Sequence, residues 1–256
     1  MFETLLAEAD GAIGSITLNC PEKLNPLSIL ALQELAAAAR FFDERSEVKI
    51  VVVKGKGRAF SAGADLSSFT QKTNLSSREV AEIGRQMADA IEGMRALAIA
   101  QIQGWCVGGG LVLAAACDLR IASEDARFSI PEVDLGIPLA WGGIPRLVRE
   151  IGPAMTKELV LTCRPFDAAE AKSVGFVNRV VLKEELDSTV AELAESLSHK
   201  APLALMATKR HVNAVTDQMV GTMRSWSDAD GLALALHDEE CAEARRKYLV
   251  ERSKKP

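Results

Sequence analysis

The residue most open to chemistry is Glu132, which lies in FSIPEVDLG after Pro131 and between the apolar Ile130 and Val133. Burial in such a run disfavours a charged carboxylate and lifts its pKa toward the range useful for moving protons. A solvated loop acid, or a partner for Arg146, is the alternative reading of the same residue. Asp134 is a weaker candidate, and Asp118 reads as a backbone cap or a partner for Arg120. Two glycine-bearing segments accompany the acid: RAFSAGADL at 58–66 and WCVGGGL at 105–111. Neither is a phosphate loop, because GxxxxGK[ST] is absent and the second segment lacks GxGxxG spacing. Ala59 stands where a GxSxG elbow around Ser61 would need glycine. Three glycines at a strand-to-helix junction do leave backbone N–H groups unpaired at the positive end of a helix. A second N–H from the Gly63–Ala64 corner would complete an oxyanion hole, each donor worth roughly 2.7–4 kcal/mol. The alternative is that the glycines serve only close helix–strand packing.

Alternating strands and helices must position these groups, which is the α/β pattern. Residues 12–19 and 98–103 read as strands, and 48–54 as a buried one; 119–122 and 176–182 read as shorter ones. Between 12–19 and 48–54, residues 28–42 place Ile29, Leu32, Leu35, Ala36 and Ala39 at helical spacing. A second helix is expected over 76–94. Beyond about residue 182 strand signals stop, and helices follow over 184–198, 202–215 and the charged tail. The chain therefore divides into a core over 1–195 and a helical appendage over 196–256, which needs its own core or a neighbouring subunit to pack on.

Composition narrows the partners. A net charge of −5 argues against nucleic-acid binding, so a polyanionic small molecule would need a local basic cluster. The five cysteines are scattered without a CxxC pair, and His199, His211 and His237 show no metal-ligand spacing, so neither a disulfide framework nor a metal site is expected. The start MFETLLAEADG does not read as a signal peptide and no apolar run is long enough to span a bilayer, which points to a cytoplasmic protein without membrane partners.

Taken together, PEKLNPLS at 21–28, AFSAGADL, GWCVGGGLVLAAACDLRIAS, FSIPEVDLG, GGIPRL and DAAEAKSVGFVNRVV at 167–181 resemble the enoyl-CoA hydratase/isomerase (crotonase) family, in family order over nearly the whole chain. The resemblance implies an α/β fold, a spiral of ββα units with a C-terminal helical trimerisation region, assembled as a homotrimer or a dimer of trimers. It implies a coenzyme A thioester as substrate and no separate cofactor. The thioester oxygen would be held by the N–H groups of Ala64 and Gly109, and the coenzyme by Lys23, Leu24, Ala62, Asp65 and Leu66. Tail residues near Tyr248, Leu249 and Arg252 would reach a neighbour's coenzyme, with Arg252 and Lys23 supplying basic charge. The acyl pocket would include Val112, Leu139 and Trp141.

The sequence departs from the hydratase pattern at one decisive place. Family hydratases carry two glutamates over the acyl group; Glu132 matches one, and the other position is Val112. Losing a general acid–base group typically costs about 10²–10⁴-fold, so efficient two-glutamate hydration is not expected. A single carboxylate suffices to shift a double bond, and the pattern is similar to Δ3,Δ2-enoyl-CoA isomerases, with Glu132 as lone acid/base. Dienoyl-CoA isomerases carry further acids where this chain has Val112 and Ala140. The alternatives are a specialised hydratase, hydrolase or lyase, with a second acid from Asp134 or the 67–78 loop, and a non-catalytic acyl-CoA-binding protein. Leu139 and Trp141 intrude where small residues are common in the family, so the acyl pocket is expected to be narrowed.

Overall fold

The computed structural model describes residues 2–66, 75–225 and 227–253, and only the backbone of residues 77, 224, 252 and 253. Its main sheet has six strands in the order β1 (Leu5–Asp10), β2 (Ile13–Leu18), β3 (Ile50–Gly55), β4 (Leu97–Ile102), β6 (Leu119–Ser123) and β9 (Arg179–Val181). The first pair is antiparallel and the others parallel. A smaller sheet joins β5 (Trp105–Val107), β7 (Arg127–Ser129) and β8 (Phe166–Asp167). β3, IVVVKG, is buried on both faces, as an unbroken β-branched run in a parallel sheet should be.

Helices α1 (Ile29–Asp43) and α2 (Ser77–Gly93) cover one face of the main sheet. Ser28 caps α1 by accepting the Ala31 N–H, and α2 opens with a reciprocal capping box between Ser76 and Glu79. α3 (Gly109–Ala115) is buried along its length, which explains why it is purely apolar. α4 (Gly143–Thr162) bends at Gly152–Pro153, and α5 spans Ala168–Ser173. On the opposite face α6 (Leu186–Ser198) lays Leu186, Val190 and Ala194 against Ile50, Val52, Ile99 and Ile121. Residue 195 thus falls inside a helix that belongs to the core.

Beyond it, α7 (Pro202–Met219) docks through one buried cation. Lys209 donates to the Ala96 carbonyl and, at 2.8 Å, to Asp118, which also accepts the Ala98 N–H. Asp118 is therefore a helix-docking and backbone-capping group, while Arg120 turns instead to Glu150. The same α7 leaves Val212, Val215 and Met219 exposed. α8 (Asp228–His237) packs on α2 of its own chain, and α9 (Glu239–Ser253) follows it. No helix among the described residues is long and apolar enough to cross a membrane.

Candidate active site

Three loops converge beside the small sheet and are sewn together by backbone bonds. Ser61 forms a parallel bridge with Cys106, and Leu27 with Ala64. In the second bridge the Leu27 N–H donates to Gly63 O and Leu27 O accepts from Asp65 N–H. That pairing uses the groups on either side of Ala64 and turns the Ala64 N–H the other way. Gly63, at φ +87°, makes this corner possible; a Cβ there would lie 2.5 Å from Val107 O and 3.5 Å from Gly109 N. The corner thus sits directly against the glycine run.

Each of the three glycines has its own reason. Gly108 adopts φ +49°, and a Cβ there would strike Glu132 Oε1 at 2.4 Å. A Cβ on Gly109 would meet the Trp141 indole at 2.2 Å, and one on Gly110 would meet the Ser61 Cβ at 2.8 Å. Gly108 spends its N–H on Ser129 O, and its carbonyl accepts from Leu111 and Val112. The Gly109 and Ala64 N–H groups have no acceptor among the described residues. Close packing and free donors are therefore both properties of the same run.

Asn25, which sequence reasoning did not single out, and Ser61, considered there only as a nucleophile, hold the corner in place. Asn25, itself left-handed at φ +53°, accepts from Cys20 N–H and donates to the Lys56, Ala59 and Phe60 carbonyls. Ser61 Oγ donates to Asn25 O and accepts from Gly63 N–H. An asparagine in a tight turn beside proline looks like ordinary turn chemistry, so only the run LNP gave any signal.

The cavity these loops enclose measures about 30 Å3 and is lined by Ala64, Gly109, Val112, Glu132, Ile137, Pro138, Leu139, Ala140, Trp141 and Leu232. Glu132 is the one ionisable residue among them. The residue is 9% exposed, and Oε2 is buried with no hydrogen-bond partner among the described residues. Burial, with little to compensate it, pushes the Glu132 carboxyl up from 4.5 to about 7. Arg146 does not neutralise it: that guanidinium, 1% exposed, is paired with Asp89 and Glu92 on α2. Asp134 is exposed and lies outside this lining. The 67–78 segment carries no Asp or Glu, so it supplies no second acid; residues 67–74 lie outside those described.

The remaining expected site residues fall into two groups. Val112, Leu139 and Trp141 join Glu132, Ala64 and Gly109 around the cavity. Lys23 and Leu24 close a short turn whose Leu24 carbonyl accepts the Ala62 N–H, which sets them beside Ala62, Asp65 and Leu66 at the Ala64 corner. Lys23 is exposed there. Arg252 belongs to α9, and its side chain is outside the described part. Ile137, Pro138 and Leu232 complete the lining without having been anticipated, Leu232 because it arrives from α8, far along the chain. The described residues contain no cluster of three metal-ligating side chains, and all five cysteines are free thiols.

A sequence model described as enoyl-CoA hydratase/isomerase matches residues 8–255. The short-chain-enoyl-CoA hydratase of Clostridium acetobutylicum is 34% identical over 240 residues, covering 93% of this chain and 92% of that protein. The peroxisomal Δ(3,5)-Δ(2,4)-dienoyl-CoA isomerase of Arabidopsis thaliana is 35% identical over 244 residues, covering 89% and 88%. Among solved structures, an enoyl-CoA hydratase/isomerase from Xanthobacter autotrophicus superposes with a TM-score of 0.88 at 28% identity, covering 99% of this chain and 94% of that one.

Proposed function

The chain belongs to the enoyl-CoA hydratase/isomerase family, and from that premise we propose that it shifts the double bond of a 3-enoyl-CoA to the 2-position, with Glu132 as its only acid/base. The observation that carries this reading is a lone buried carboxyl, at about 7, sharing an otherwise apolar cavity with Val112 and two free N–H donors. A group titrating near neutral pH both accepts and returns a proton efficiently.

In the proposed reaction the thioester oxygen accepts hydrogen bonds from the Ala64 and Gly109 N–H groups. The Glu132 carboxylate removes a proton from C2, and the electron pair spreads over oxygen, C2 and C4 as a dienolate. The negative oxygen strengthens both hydrogen bonds, which is where roughly 2.7–4 kcal/mol per donor is gained. The protonated Glu132 then delivers a proton to C4, and the electrons return to leave a C2–C3 double bond. Water is not added to the substrate, so a second carboxyl to orient it is not needed. Lys23, Leu24, Ala62, Asp65, Leu66 and Arg252 would hold the coenzyme, and the helices after residue 198 would associate three chains, consistent with the exposed Val212, Val215 and Met219 of α7.

Two further readings each have an observation in their favour. Hydration is favoured by the name of the clostridial relative, although the described residues of the lining offer no second acid. Acyl-CoA binding without turnover is favoured by the free Ala64 and Gly109 N–H groups, which would hold a thioester whether or not Glu132 reacts. Incubation of the purified protein with 2-enoyl-, 3-enoyl- and saturated acyl-CoA, followed by mass and absorbance, separates the three. Conversion of the 3-enoyl substrate alone supports the proposal; hydration of the 2-enoyl substrate at comparable rates, or binding without turnover, would replace it.

A further inference from the structure

Resting on the acyl-CoA reading above, we propose that Trp141 is a fixed stop that limits the acyl group to a short chain. Its indole fills the gap between α2 and α3. A Cβ at Gly84 on α2 would lie 2.2 Å from Trp141 Cδ2, and a Cβ at Gly109 on α3 would lie 2.2 Å from Trp141 Cζ3. The ring therefore fits only because both positions are glycine. Its six-membered edge lies against the very residue whose N–H would hold the thioester oxygen, so it stands at the start of the acyl path. What remains beside it is about 30 Å3, room for no more than a few water-sized groups. Carbons beyond the first few require the space that the indole occupies.

The stop is braced from both sides. Trp141 is left-handed at φ +60° and Gly142 at +68°, a conformation that bulky residues rarely adopt. Arg146 Nη1 donates to the Trp141 and Gly142 carbonyls at 3.3 and 3.2 Å, while its Nη2 is anchored to Asp89 and Glu92 on α2. From α8, Asp228 accepts the Gly142 N–H at 2.9 Å. Displacing the indole would therefore require giving up contacts to two helices together, so the ring acts as a wall and not as a lid.

The test is calorimetric binding of coenzyme A and of acetyl-, butanoyl-, hexanoyl- and octanoyl-CoA to the full chain, which needs no turnover. In an open apolar channel each added methylene tightens Kd by about fourfold. With the stop in place, Kd should tighten as far as butanoyl and then level off or weaken. In Trp141→Ala the octanoyl thioester should bind at least about tenfold more tightly than the butanoyl one. Trp141→Leu, which keeps an apolar side chain, should move the limit part of the way and serves if the alanine variant does not fold. A wild-type Kd that keeps tightening through octanoyl, or a folded variant with an unchanged chain-length profile, would overturn the proposal while leaving the acyl-CoA reading intact. Failure of the wild type to bind any of these ligands would overturn both.

Discussion

Replacing Glu132 with glutamine removes a buried titration while keeping the shape of the side chain. The Glu132 carboxyl is held near 7 in the folded protein and near 4.5 when exposed. Between those values the folded chain binds a proton that the unfolded chain has released, so stability falls as pH rises through this window. Above about 7 the whole difference is lost, and at 1.36 kcal/mol per tenfold change in proton affinity it amounts to about 3 kcal/mol. The glutamine variant has no such term. The stability of Glu132→Gln minus that of wild type should therefore be smallest near pH 4.5 and should rise by about 3 kcal/mol by pH 8, equivalent to roughly 6–12 °C in Tm for a chain of this size. The other ionisable groups are common to both proteins and cancel in the difference. Urea unfolding or thermal melting of both proteins at matched concentration, across pH 4.5 to 8, measures it. A difference that stays flat with pH would show that Glu132 is not buried unpaired, and the reasoning about its proton affinity would fail with it.

Val112→Glu places a second carboxyl in the cavity; 2-enoyl-CoA hydration, followed by loss of enoyl absorbance, should rise, and the pH–rate profile should move upward because two acids now share the site. Asn25→Ala leaves the Lys56, Ala59 and Phe60 carbonyls without their shared donor; unfolding by urea should show a loss of at least about 1–3 kcal/mol, accompanied by a fall in kcat as the Ala64 corner loosens. Lys209→Met leaves the buried Asp118 with the Ala98 N–H and the nearby Arg120 charge but without its ion-pair partner, and the same denaturation measurement should register up to about 3–5 kcal/mol.

Much of this architecture was readable because its signals are local. The strands at 12–19, 48–54 and 98–103 and the helices at 28–42 and 76–94 have the right periods, and the structure places each within a residue or two. Glu132 stood out because an acid in an otherwise apolar run is costly to bury. What escaped depended on distance along the chain. β5, β7 and β8 have three residues or fewer, and such short stretches pair only because the loops around them are already aligned. Arg146 was offered as a partner for Glu132, but α2 brings Asp89 and Glu92 to it first, leaving the catalytic candidate uncompensated. Trp141 was expected to narrow a pocket; that its indole lies against Gly84 depends on where α2 crosses, which no local pattern encodes. The role of Asn25 likewise resides in three carbonyls from another loop.

The central claim is that Glu132 alone moves the proton at C2 while Ala64 and Gly109 hold the enolate oxygen. Exchange of that proton with solvent measures it directly, independently of the final product. In deuterated buffer, wild-type protein should wash deuterium into C2 of a bound acyl-CoA, seen by NMR or mass, with a rate that climbs as pH rises through about 7. Glu132→Gln should slow that exchange by about 10²–10⁴-fold. Exchange that persists at the wild-type rate in the glutamine variant would contradict the account.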